Sequence, residues 1–357
     1  MTTPPPSRDT FLLLQSWRAL AAFIVMAGHT THEALTISQK TGAPYTYIPY
    51  PNAVGVDMFF VISGFVIVYA SRHLAGHPDS WKIFLFRRIL RIVPIYWFYT
   101  GLMILASFMV PQYIDTIRPE LNHILKSLFF IPHLRPHGDA VRPFLALGWS
   151  LNYEMYFYVL FTFFLFLPLK RLISGLSCFL ISSVLLGLFV PEDWVALKFW
   201  CDPYVLEFLC GALIAFAFLE GKTLPSQAFP VLLFLGFSVL FILFFPAQNS
   251  LFSQCLRFIV GSVFVCAAVL PRHALQIRPP RLFATLGNSS YSLYLSHSFT
   301  IGLTKLFWLR FCPQSPLWLY VLLTLIACLT IGHLSYRILE RPLLVFAQNS
   351  KKFLKKS

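Results

Sequence analysis

Long apolar runs set the pattern of this chain. After ten polar, proline-rich residues (MTTPPPSRDT) the sequence alternates hydrophobic stretches of about 20 residues, the length of a bilayer-crossing helix, with short polar or basic connectors. The runs predict helices near 11–31, 53–71, 92–110, 143–168, 172–190, 202–219, 229–245, 251–270, 283–309 and 317–339. They lack the short in-out alternation of a transmembrane barrel strand. The segment 111–142 is the longest connector, and its apolar patch around Ile124 to Pro132 is too short to span, so it reads as interfacial or re-entrant. Pro94 predicts a kink in the third run.

Composition narrows the class. Hydrophobic residues make up 57% and charged residues only 12%, with a mean hydropathy of +0.69, outside the range of soluble domains. The expected fold is therefore all-α, a polytopic transmembrane helix bundle of about ten spans. Residues 1–10 form a cytoplasmic tail, 11–342 the transmembrane domain and 343–357 a basic cytoplasmic tail.

Charge supplies the orientation. On this scheme 18 Lys and Arg fall on one side and eight on the other, which by the positive-inside rule places both termini in the cytoplasm, N-in and C-in. The net charge of +14 is then a topological signal rather than a nucleic-acid footprint. The seven Cys show no CxxC spacing and read as small core hydrophobes. The first run carries Arg18 and no small-residue cleavage site, so it reads as a retained span rather than a signal peptide. No internal repeat is visible.

Polar residues inside the runs are the candidates for chemistry, because lipid makes them costly unless they work in company. Arg18 and His29 are eleven residues apart, three helical turns, which puts both on one face about 16 Å apart. Asp57 in the second run returns to the depth of His29 and can orient or charge its imidazole. Glu154 lies one turn after Ser150 in an aromatic run, with an ion pair to Arg18 or Arg257 as its structural alternative. Glu207 is a weaker case of the same kind, with Arg257 as a partner. Arg87, Arg88 and Arg91 place guanidinium groups on one face at the start of the third run, suited to an anionic ligand or simply to setting topology. His297 follows Tyr291 and Tyr294 in a hydroxyl-rich stretch. His133 and His137 have metal-ligand spacing, but Pro136 between them and the lack of acidic or thiol neighbours exclude a helical metal site. Neither a G-x-S-x-G elbow nor a glycine-rich phosphate loop is present.

In order, these segments resemble the acyltransferase 3 family, polytopic membrane O-acyltransferases of the O-antigen and cell-envelope O-acetyltransferase type. The resemblance rests on Arg18-x10-His29, GVDMFFVISGF at 55–65, RRILR at 87–91, SLNYE at 150–154, YSLYLSH at 291–297 and ERP at 340–342, and covers nearly the whole chain. It implies transfer of an acyl group, usually acetyl, from cytoplasmic acyl-CoA to a hydroxyl of an envelope carbohydrate, lipopolysaccharide and lipid-linked carriers among the options. The family's important positions match at Arg18, His29, Arg87, Arg88, Arg91, Ser150 and Glu154. Expected roles follow: Arg18, Arg87, Arg88 and Arg91 bind the coenzyme A phosphates, while His29 is the base, with Asp57 or Glu154 stabilising its charged form. Ser150 and His297 contact substrate, and no metal is needed. A bacterial-type inner membrane location and a stand-alone form without an appended hydrolase-like domain are also implied. Partners would be acyl-CoA, the carbohydrate acceptor and the lipid bilayer, not nucleic acid; acceptor identity, acyl length and oligomeric state stay open. A proton-coupled transporter or flippase, with Arg18, His29, Asp57 and Glu154 lining a path, is the alternative class.

Overall fold

A computed structural model of the chain describes residues 11–49, 51–110, 119–136, 138, 140–245 and 250–349. The helices run in order α1 Leu12–Thr41, α2 Val54–Ser71, α3 Ser80–Met109, α4 Leu121–Leu128, α5 Trp149–Phe164, α6 Leu169–Gly187 and α7 Val195–Trp200. They continue as α8 Val205–Leu219, α9 Ala228–Ile242, α10 Leu251–Val269, α11 Arg281–Asn288, α12 Ser290–Phe311, α13 Leu317–Ser335 and α14 Arg341–Asn349. Among the described residues the only β features are two isolated bridges. Seven helical stretches there are long and apolar enough to cross a membrane: Leu12–Thr41, Val54–Ser71, Ser80–Met109, Leu169–Gly187, Val195–Leu219, Phe252–Val269 and Leu317–Phe346. Regular structure among the described residues is thus helical apart from those bridges, with the several long apolar helices of a multi-pass membrane fold. Apolar side chains face outward as lipid requires, with Phe179, Leu185, Phe234 and Phe241 exposed while Asp57, Arg257, Glu207 and His297 are buried.

The chain divides into two compact units, Met1–Phe65 with Ala217–Tyr336, and Val66–Phe216 with Arg337–Ser357. In the first, α1 is the axis and packs against α10, α11, α12 and α13. Its inward face joins Ala21 and Ile24 to Val54, Met58, Val260 and Phe264, while Ala22 and Met26 pack with Leu293, Ile301 and Cys328. Small residues bring backbones together: a Cβ on Gly287 would overlap the Gln15 carbonyl, and one on Gly55 the Ala21 carbonyl. In the second unit α3 packs on α5 and α14, and α5 on α6. There the core is aromatic, with Phe84 edge-on to Tyr158 at 6.1 Å and against Phe161 at 5.0 Å, and Phe157 stacked on Phe208 at 5.0 Å.

Several helices exceed or interrupt the apolar runs that predict them. The first continues to Thr41 rather than stopping at Thr31, because Ala34 and Ile37 bury against Trp308, Leu317 and Tyr320. Gly42 then ends it at φ 73°, its N–H bonded to the Ser38 carbonyl at 2.8 Å. The third begins at Ser80, so Arg87, Arg88 and Arg91 lie well inside a helix, which continues through Pro94. The ninth run is two helices, α11 and α12, separated at Ser289. The tenth continues through a π-helical turn, Tyr336–Glu340, and on past Arg341 and Pro342 as α14. The patch at Ile124 to Pro132 is the end of α4 followed by a turn with Phe130 at φ 60°. Cys178 and Cys255 are exposed rather than core residues. His137, the tail 1–10 and residues 350–357 of the basic tail lie outside the described residues.

Candidate functional site

In the first unit α1 carries Arg18 and His29 three turns apart on one face, about 16 Å along the axis. Arg18 is half-buried, and its Nη1 donates to Gln15 Oε1 at 3.1 Å. His29 is accessible, and its ring centroid lies 5.3 Å from that of His297 on α12. His297 is fully buried, with its Nδ1 3.3 Å from the Leu293 carbonyl. Since a carbonyl only accepts, that contact assigns the proton to Nδ1 and leaves Nε2 as a lone pair. That atom has no hydrogen-bond partner among the described residues. The same holds for the hydroxyls of its neighbours Ser296 and Ser298. Buried polar groups in this state are expensive, which sets this turn of α12 apart from its apolar surroundings.

Asp57 sits at the start of α2, fully buried, and its Oδ2 accepts from Arg257 Nε at 2.9 Å. Arg257 also donates from Nη1 to Ser253 Oγ at 3.4 Å, and Gly261 leaves room for the Asp57 backbone. Arg257 thus pairs with Asp57, where the spacing alone offers it to Glu154 or Glu207. The Asp57 carboxylate is bound into an ion pair that holds the start of α2 to α10.

One turn beyond His29, Glu33 pairs with Lys305 of α12 at 2.5 Å, both partly exposed. Thr324 donates to Thr304 at 3.1 Å on the adjoining α13–α12 seam. Glu33 does not stand out from the sequence because it lies just past the first run, whereas Lys305 lies inside the ninth run and was passed over. The signal available was spacing: Glu33 is four residues past His29 and Lys305 eight past His297, which keeps each on its histidine's face.

The second unit holds the arginines and the carboxylate. On α3 the Arg88 guanidinium lies over the rings of Phe84 at 5.4 Å and Tyr158 at 5.6 Å. Tyr158, buried on α5, donates its hydroxyl to Glu154 Oε1 at 2.5 Å. Glu154 and Arg91 are within electrostatic reach of Arg88. Ser150, Glu154 and Tyr158 therefore form an i, i+4, i+8 stripe facing the arginine helix. Ser150 is buried and donates to the Leu147 carbonyl at 3.2 Å, in the 3-10 turn that leads into α5. Tyr158 is the member that sequence reasoning missed; it sits one turn past Glu154 among other aromatics and looks like lipid-facing bulk. Arg87 is half-buried on the same helix. Glu207 is buried in the first turn of α8.

Outside the spanning segments, the connector before α5 is pinned by two histidines. His133 Nδ1 donates to the Ile131 carbonyl at 2.7 Å, so its Nε2 must accept from His123 Nδ1 at 2.6 Å. Burial, then His133 and Arg135, push the His123 imidazole down to about 4; burial also lowers His133. Ser127 ties the same segment to its neighbours, accepting from the Phe144 N–H at 2.7 Å, while its carbonyl accepts from the Tyr96 hydroxyl at 3.1 Å. Among the described residues no three His, Cys, Asp or Glu side chains gather in a metal-binding group.

Ionisable groups persist at membrane depth where they handle a substrate or an ion, so fold and site together define a multi-pass membrane protein with polar chemistry among its helices. The chain belongs to the acyltransferase 3 family: the family model described as an acyltransferase domain matches residues 13–336, and the protein is an acyltransferase. It is 32% identical over 314 residues to the exopolysaccharide production protein ExoZ of Rhizobium meliloti (strain 1021), covering 86% of this chain and 93% of that one. It is 28% identical over 331 residues to the O-acetyltransferase OatA of Staphylococcus aureus (strain NCTC 8325 / PS 47), covering 81% of this chain and 52% of that one. It is also 26% identical over 371 residues to the peptidoglycan O-acetyltransferase OatA of Listeria monocytogenes serovar 1/2a, covering 94% of this chain and 56% of that one. The chain therefore spans about half the length of the OatA proteins. No solved structure matches it.

Proposed function

We propose that this protein moves an acyl group, acetyl in the simplest case, from cytoplasmic acyl-CoA to a hydroxyl of a cell-envelope carbohydrate. The observation that carries this reading is the accessible His29 imidazole packed 5.3 Å from the buried His297, in a chain of the acyltransferase family. Support for a carbohydrate acceptor comes from relatives named for exopolysaccharide production and peptidoglycan O-acetylation. In this reading ten helices, α1, α2, α3, α5, α6, α8, α9, α10, α12 and α13, cross the inner membrane of a bacterial-type cell, with both termini cytoplasmic.

His29 takes the proton of the acceptor hydroxyl as its oxygen attacks the thioester carbonyl. The carbon–sulfur bond breaks, the acyl group passes to oxygen, and the coenzyme A thiolate leaves and takes up a proton. An acyl-histidine route conserves the same atoms, with His29 itself attacking first and the hydroxyl second. His297 supports the His29 ring from behind. Arg87, Arg88 and Arg91 hold the donor phosphates, and Arg88 is preset by Tyr158 and Glu154. Ser150 orders the start of the helix that carries Glu154. Asp57 acts through Arg257, as an anchor for α2, rather than as a titrating partner.

The test is turnover of radiolabelled acetyl-CoA by the purified full chain, with polysaccharide from a strain lacking the protein as acceptor. His29→Ala is expected to lower transfer by at least about 100-fold while the melting temperature stays unchanged. Near-normal transfer in that variant would refute the assignment.

A further inference from the structure

Away from the polar sites, the second unit has a groove of about 510 Å³ between the start of α3 and the end of α5. Its walls are His77, Trp81, Leu85, Val159, Phe163 and Phe166. Trp81, Val159, Phe163 and Phe166 are all exposed along it. A cavity of this size and lining is in the range that takes a flexible apolar ligand.

Basic residues adjoin the lining residues in sequence. The amide of Gly76 donates to the Leu165 carbonyl at 3.0 Å, which holds the 72–79 loop against the turn from α5 to α6. That turn leads straight into Lys170 and Arg171, both exposed, while the loop carries Arg72 and leads into Lys82. Lys82 Nζ lies 5.7 Å from the centre of the Trp81 ring, over the groove wall. A carboxylate of the same segment, Asp79, meets Lys82 at 3.1 Å in a pair exposed on both sides, which a stronger anion displaces with little loss. An apolar trough with Lys82 over its wall, and with the exposed Lys170 and Arg171 just past the turn that Gly76 holds, matches a molecule with a long chain and an anionic head.

We propose that this groove is a binding site for an anionic glycerophospholipid, one acyl chain lying along Trp81, Leu85, Val159 and Phe163 and the phosphate meeting Lys82 with Lys170 and Arg171. Basic pockets between membrane helices recognise lipid head groups in this way, and a tryptophan at the mouth suits the water boundary. The charge balance favours this occupant over an apolar helix of another protein, which would bring no anion to Lys82, Lys170 and Arg171 beyond the exposed Asp79. The site is independent of the acyl-transfer assignment.

The experiment is native mass spectrometry of the full chain in uncharged detergent, titrated with phosphatidylglycerol or phosphatidylcholine of identical chains. Phosphatidylglycerol should be retained about tenfold more strongly, the worth of two or so surface cations. The double variant Lys82→Gln/Lys170→Gln should bring the two lipids close to equal without moving the melting temperature. Val159→Trp, which fills the trough, should weaken both; if it alters melting, Leu85→Phe serves with the same readout. Equal retention of the two lipids by the unaltered protein, or an undiminished preference in the double variant, overturns the proposal. So does unchanged binding in a folded groove-filling variant. Glycerol phosphate competing as well as the intact lipid would show a plain phosphate site and also overturn it.

Discussion

Two polar sites, Arg88 in the second unit and His297 in the first, meet the cost of burial in opposite ways. In the second, Arg88 is already engaged, its guanidinium over two rings and its tyrosine neighbour bonded to Glu154. In the first, His297 Nε2 and the Ser296 and Ser298 hydroxyls are buried without hydrogen-bond partners, beside an accessible His29. A preset cation needs only a strong anion to complete it, whereas spare lone pairs and hydroxyls wait for a ligand that brings its own donors and acceptors. This contrast is what a phosphate-bearing donor and a hydroxyl-bearing acceptor would each require.

Four perturbations test that contrast. The largest effect is expected at the buried ion pair of the first unit: Asp57→Ala strands Arg257 and should cost about 3–5 kcal/mol of stability. Thermal unfolding followed by fluorescence-detected size exclusion checks it, and pairing the change with Arg257→Met should recover much of the loss. A mild effect of the single variant would mean that the pair is not what anchors α2.

Next comes Arg88→Ala, which should raise the KM for acyl-CoA by about tenfold to a hundredfold while the acceptor KM stays put. Equal changes in both would erase the proposed division between the units. His297→Phe keeps a ring against His29 but removes Nε2. It should lower kcat about tenfold and flatten the pH–rate profile, where a merely structural ring would leave both unchanged.

The smallest effect is local and concerns the His123–His133 pair. Because the His123 imidazole is held near 4 when paired, below its ordinary 6.5, the opened connector binds more protons than the closed one between those values. The closed form is therefore fully favoured above about pH 6.5 and weakens as pH falls toward 4, with Lys126 and Arg135 adding repulsion. Hydrogen exchange of residues 121–134 should quicken over that window, and His123→Asn should remove the dependence. Uniform protection down to pH 4 would show that Ser127 and Tyr96 hold the segment unaided.

Much of the fold could be read from apolar runs, because lipid leaves the backbone few options besides the helix. Where the reading fell short, the cause was the same: hydropathy marks the part of a helix at lipid depth, not the whole helix. The continuation of α1 to Thr41 is polar in HEALTISQK yet folded, since Ala34 and Ile37 find partners on α12 and α13. The early start of α3 at Ser80 escaped for the same reason. At the site, Arg18, His29, Asp57, Glu154 and His297 announce themselves as polar groups in apolar runs. Glu33 and Tyr158 do not, the first because it lies past the apolar run and the second because it is one aromatic among many, while Lys305 is a cation inside an apolar run whose partner the sequence does not name.

The sequence by itself determined the membrane class, most of the helices, the family and the kinds of side chain available for chemistry. All of these depend on residue type and short-range spacing, which the chain carries locally. Only the tertiary structure decided partners. Asp57 meets Arg257 across 200 residues, and His29 meets His297 because α1 packs against α12. A charge buried in lipid must have a companion, which a sequence can require; which companion it receives depends on the crossing of helices, and that is settled by the packing of every residue between them.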